Sequence, residues 1–137
     1  MTTEGFANDG TTLSELAQFD LAQEMKESEQ KRPWPMGHFA KMLFKKSDFR
    51  MLLIMMDGGS VLKEHHADGT ISIQVLKGSV DFRVQGETRS LQVNSVLTLG
   101  ASIQHELEAR EESAILLTIA WPSGEKLQAM KHRGYGT

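Results

Sequence analysis

The sequence predicts an all-β sandwich or barrel, and three observations carry that prediction. From Gly37 to Trp121 short runs alternate apolar and polar residues, the period-two pattern of half-buried strands. β-Branched and aromatic side chains crowd those runs. Clusters of Gly, Asp and Ser recur between them at short intervals, as turns do in all-β domains. A chain of 137 residues has room for one hydrophobic core and not for two.

The elements follow in order. Met1 to about Thr12 is polar and glycine-containing. From Leu13 to about Glu29, Leu13, Leu16, Ala17, Leu21 and Met25 recur at helical spacing, which predicts a short helix capped by Thr12 or Ser14. Its apolar stripe is narrow, so it needs a surface to dock on. Lys31-Arg32-Pro33-Trp34-Pro35 stops it, because proline removes a backbone donor and pushes its predecessor into extended geometry. Trp34 reads as an anchor that pins this arm. HFAKMLFKK and FRMLLIMM then read as strands, the second apolar on both faces. VLKEHH enters a loop at Ala67-Asp68-Gly69. TISIQVL puts Ile71, Ile73 and Val75 on one face, and VDFRV does the same with Val80, Phe82 and Val84. RSLQV, SVLTL, QHELEA and SAILLTIA complete the set. The run Glu108 to Glu112 reads as a solvated hairpin tip. The domain plan is an arm over 1–36, a barrel over 37–121 and a tail over 122–137, where Leu127 and Met130 suggest one helical turn.

Composition narrows the function. A formal charge of −3 gives no reason to expect nucleic acid or an acidic membrane surface. The absence of cysteine excludes disulfides and thiolate metal sites. The first residues lack the basic start and apolar core of a signal peptide, and the longest apolar run, Met51–Met56, is too short to span a bilayer. A cytoplasmic protein is the expectation. No nucleophile elbow or phosphate loop is present. Four of the eight methionines, Met42, Met51, Met55 and Met56, fall in core-like strands, where flexible thioethers fill irregular space.

The chemistry-bearing segments are GSVLKEHHADGTISIQVLKG, from Gly59 to Gly78, and LGASIQHELEA, which opens a later strand with His105. In these the chain resembles the cupin superfamily, small β-barrels of jelly-roll type. Gly59, His65 and Gly78 match the first cupin motif at its spacing. The turn Gly100-Ala101-Ser102 followed by His105 resembles the second. The resemblance covers about Gly37 to Ala120 and implies a cupin-type double-stranded β-helix, a jelly-roll barrel with a short N-terminal helix or arm. It also implies that His65 and His105 stand at metal-ligand positions and meet at one end of the barrel. The family's second metal histidine falls on Ala67 and its glutamate on Ile71, so the motif is degenerate here.

The neighbours of these positions do not restore the set by simple alternation. His66 follows His65 and points to the opposite face of an extended strand unless a bulge turns it back. Glu64 and Glu106 flank inward histidines and share that parity. Two neutral imidazoles without a carboxylate hold a divalent ion weakly. No cofactor is therefore certain. The resemblance points to a divalent transition metal (zinc, iron, nickel or manganese) on His65 and His105, and His66 joins them as a third ligand only if a bulge turns it inward.

Three function classes remain. The leading one is a small-molecule binding or sensing domain, with His65, Ile71, Ile73, Val75, Phe82 and His105 around a cavity. The second is a metal-dependent cupin enzyme, an oxygenase, isomerase or decarboxylase, using His65 and His105. The third is a partner-binding protein that acts through its arm. A homodimer is expected in any case. It would form through sheet faces or edges with the arm reaching across, because Arg50–Met56 is apolar on the face a single jelly roll leaves bare.

Overall fold

The structure, a computed structural model, describes residues 16–63 and 68–122. The described residues form one short helix and two antiparallel sheets. The strands are β1 (His38–Lys45), β2 (Phe49–Met56), β3 (Val61–Lys63), β4 (Thr70–Lys77), β5 (Ser79–Val84), β6 (Glu87–Gln92), β7 (Val96–Leu99), β8 (His105–Ala109) and β9 (Ser113–Ala120). The first sheet runs β1-β2-β9-β4-β7 and the second β3-β8-β5-β6. This is the all-β arrangement that the alternation predicted, in the jelly-roll form that the resemblance implied. No helix among the described residues is long and apolar enough to cross a membrane.

Alternation decides which side chains meet. Ile54 and Met56 of β2, Ile71, Ile73 and Val75 of β4, and Ile115 of β9 point inward from the first sheet. Val80 and Phe82 of β5 and Leu107 of β8 meet them from the second, and these residues form the main core. The turn between β4 and β5 depends on Gly78. Its φ is +78°, and a Cβ there would stand 2.3 Å from the Glu112 carbonyl oxygen.

The odd-numbered residues of β2 point the other way. Leu53 and Met55 are fully buried nonetheless, because the arm covers them. Trp34, Leu43 and Ala114 complete this second cluster, with Phe19, Leu21 and Met25 packed against it. The indole N–H of Trp34 donates to the Ser28 carbonyl at 3.1 Å, so the ring is buried with its polar group satisfied. Arg32 lies over the same ring at 4.1 Å and pairs with Glu112 at 2.7 Å and Asp57 at 3.3 Å. Lys77 bridges Glu29 and Glu112, and Lys41 pairs with Glu24. Trp34 is the anchor the sequence suggested. The surface it docks on is its own sheet, so the chain itself covers the face for which a second subunit was expected.

Two expectations need correction. The helix, α1 (Leu21–Glu29), starts later than Leu13, since residues 16–20 are not helical. Asp20 is the cap: its Oδ1 accepts from the Gln23 backbone N–H at 3.1 Å. Leu16, counted in the apolar stripe, is 71% exposed. Thr12 and Ser14 lie outside the described residues, as do Leu127 and Met130 of the tail. The acidic run is also no merely solvated tip. Glu108 pairs with Arg83, Arg110 with Asp81, Glu111 accepts from the Ser79 hydroxyl, and Glu112 holds the arm.

Candidate functional site

The site is built around His105. Strand β8 alternates, so His105, Leu107 and Ala109 face inward while Glu106 and Glu108 face outward. His105 is only 7% exposed, and its ring stacks on Phe82 with centroids 5.1 Å apart and planes 19° apart. Its Nδ1 lies 3.0 Å from the Ile103 carbonyl oxygen. A carbonyl only accepts, so Nδ1 carries the hydrogen and donates. In the neutral ring this leaves the Nε2 lone pair for another partner.

Two spaces meet at this ring. Inside the barrel is a small cavity of about 20 Å³, lined by Ile54, Leu62, Ile73, Leu107 and Ile115 besides His105. That is room for one water molecule at most. Outside, at the mouth, is a cleft of about 620 Å³ lined by Lys63, Arg83, Gln85, Ser102, Gln104 and His105, with Ile103 and Glu106. Arg83 donates to Glu106 at 2.8 Å and pairs with Glu108. The Glu108 carboxylate, with Glu106 beside it, holds the Arg83 guanidinium above its ordinary range. Lys63 is 4.0 Å from Glu106 and is otherwise in solvent.

The residues named from sequence divide accordingly. His105 and Ile73 line the internal cavity. Ile71, Val75 and Phe82 are buried in the main core at 3%, 0% and 0% exposure. His65 and His66 lie outside the described residues, and with them the expected meeting of His65 with His105. Asp68, just beyond, is completely buried. Sequence reasoning missed the cleft residues Lys63, Arg83, Gln85, Ser102 and Gln104. The available signal was Gln85-Gly86 in a two-residue turn that usually takes Asn, Asp or Gly first.

Among the described residues no three His, Asp or Glu side chains are arranged to hold an ion. Ile71, on which the resemblance placed the motif's glutamate, is sealed in the core. Among the described residues, the imidazole of His105 has the orientation a ligand needs, with Nδ1 fixed by a carbonyl.

No protein-family model matches the chain, and no curated protein matches it. Solved structures do. The chain is similar to a conserved protein of unknown function from Streptococcus pyogenes, at 21% identity over 66% of this chain and 80% of that one, with a TM-score of 0.62. It is similar to a cupin superfamily protein from Desulfitobacterium hafniense, at 17% identity over 68% and 94%, with a TM-score of 0.61. A third similar structure is the cupin domain of an XRE family transcriptional regulator from Enterobacter cloacae, at 18% identity over 63% and 98%, with a TM-score of 0.58. Identities this low speak to the fold.

Proposed function

With the cupin fold as premise, we propose that this chain is a small-molecule binding or sensing domain whose metal site is degenerate. The observation that carries the reading is the lining around His105. Its interior neighbours are apolar, and Ile71, buried at 3% exposure, replaces the glutamate of the cupin motif. A site that lacks the motif's carboxylate binds a divalent ion poorly. It retains an open cleft of a volume ordinary for small-molecule sites. The regulator's cupin domain from Enterobacter cloacae, similar over 98% of its length, supports a sensing role. The domain works as a homodimer in this reading. Exposed apolar side chains on edge strands, Met42 on β1 and Val96 on β7, support that part.

A second reading, a metal-dependent cupin enzyme using His65 and His105 with His66, draws support from the fixed Nδ1 of His105. Elemental analysis of protein purified without a histidine tag separates the two. Binding or sensing without a resident metal predicts well under one transition metal per chain. One metal per chain, lost in His105→Ala, would replace the first reading by the second.

A further inference from the structure

We infer that the ligand of this domain is a small, uncharged, polyhydroxylated molecule, a polyol or neutral sugar, and that it binds in the mouth cleft rather than in the barrel interior. The inference rests on the small-molecule reading above and gives it a place and a chemical class.

Size decides the place. The interior beside His105 holds about 20 Å³ and the cleft about 620 Å³. Only the second can take an organic ligand. His105 forms part of both linings, and it is a polar side chain more than nine-tenths buried, with Nδ1 already engaged. Its Nε2 can accept from a hydroxyl in the cleft.

Backbone strain points to the same cleft. Four non-glycine described residues have positive φ, and two of them, Gln85 at 51° and Ser102 at 70°, line it. Gln85 and Gly86 form the two-residue turn between β5 and β6, with φ of 51° and 77°. That turn requires left-handed backbone at both positions and favours Asn, Asp or Gly at the first. Glutamine adopts it at a penalty. A strained residue kept where an unstrained one would serve the turn better implies work for its side chain. Here that side chain is an amide at the rim of the cleft. Ser102 adds a hydroxyl to the same lining.

Charge decides the class. Arg83 pairs with Glu106 and Glu108, and Lys63 stands 4.0 Å from Glu106, so two cations face two carboxylates. A carboxylate ligand would have to compete with these two glutamates for the guanidinium. Among the described residues, the other polar side chains of the lining are the amides of Gln85 and Gln104, the Ser102 hydroxyl and the His105 imidazole. Such groups both donate and accept without net charge, which suits hydroxyls. The paired charges can also share hydrogen bonds with hydroxyls without losing their partners.

The test is a titration of the isotope-labelled full chain with D-glucitol, D-glucose and D-gluconate, followed residue by residue by NMR. The expected result is saturable shifts at Gln85 and from Ser102 to Glu106 with glucitol or glucose, and at least fivefold weaker binding of gluconate. Gln85→Gly should raise the melting temperature, by relieving the left-handed strain, and weaken binding of the neutral probe at least fivefold. Shifts absent at 100 mM of both neutral probes (roughly the weak limit of useful recognition), tighter binding of gluconate, or a Gln85→Gly chain with unchanged affinity would each overturn the inference. None of these outcomes bears on the metal content, so the binding reading stands or falls separately on the elemental analysis.

Discussion

The outer faces of the two sheets solve opposite problems. Behind the first sheet, Leu53 and Met55 point away from the barrel and are still fully buried, because α1 and Trp34 lie over them. Behind the second, the outward row is charged. Arg83 is paired in register with Glu106, Asp81 with Ser90 and Glu108, and Lys63 with Glu106. The like-charged pair Asp81 and Glu108 is offset by cations, since Arg83 pairs with Glu108 and Arg110 with Asp81. The first face therefore holds a second small core, and the second face holds a polar lattice. The same fold tolerates both, since only the inner faces are bound to be apolar.

The largest effect that sharpens this contrast lies at the arm. Trp34→Ala removes an indole that is 5% exposed and packs on Leu43, Leu53 and Met55. Urea denaturation should show a loss of about 3–5 kcal/mol. Arg83→Gln, on the other sheet, should leave the urea midpoint close to wild type, because its partners remain in water. Equal effects from the two changes would break the distinction between an apolar and a polar outer face.

A medium effect concerns how the arm is shaped before it docks. Asp20→Ala deletes the side chain that accepts from the Gln23 N–H at 3.1 Å. About 1 kcal/mol should be lost, read by denaturation, with helical ellipticity reduced. A helix of nine residues does not hold together without its surface, so the loss should shrink once Trp34→Ala has already released the arm. Strict additivity of the two changes would mean that the cap acts outside the arm.

Strand order and core were legible because period-two alternation is a strong local signal. Ile71, Ile73 and Val75 read as one face and stand together in the main core. The helix start was not legible in the same way. Leu13 and Leu16 match a helical stripe by spacing, while Asp20 followed by Gln23 three residues on is a cap signature that a periodicity count overlooks. Covering of the outer face was illegible for another reason. FRMLLIMM shows that both faces are apolar, and nothing in that pattern distinguishes a second chain from the chain's own arm as the cover. The site was half legible. His105 was visible from its motif, but the cleft around it is assembled by Lys63, Arg83, Gln85 and Ser102 from separate strands and turns, and no sequence spacing links them.

The smallest effect tests whether charge as well as apolar contact holds the arm. Hydrogen bonds from Arg32 and then Lys77 keep the Glu112 carboxyl below its ordinary value of 4.5. On the other sheet the Ser90 hydroxyl and then Arg110 keep Asp81 below 3.8. A carboxyl depressed in the folded state binds protons more weakly there than in the unfolded chain. Its stabilising contribution is therefore complete above the unfolded value and is lost as pH falls through the folded one. Both pairs should thus hold at pH 7 and weaken below about pH 4. Arg32 and Glu112 are 36% and 41% exposed, so screening keeps the contribution at or under roughly 1 kcal/mol. Denaturation midpoints from pH 7 to pH 3 should fall less steeply in Glu112→Gln than in wild type, and the gap should narrow in high salt. The same comparison with Asp81→Asn should be nearly independent of the arm, since Asp81 faces only the second sheet's lattice. Parallel curves for wild type and Glu112→Gln would mean that Trp34 and its apolar neighbours hold the arm alone, and that the two outer faces differ in polarity without sharing any electrostatic design.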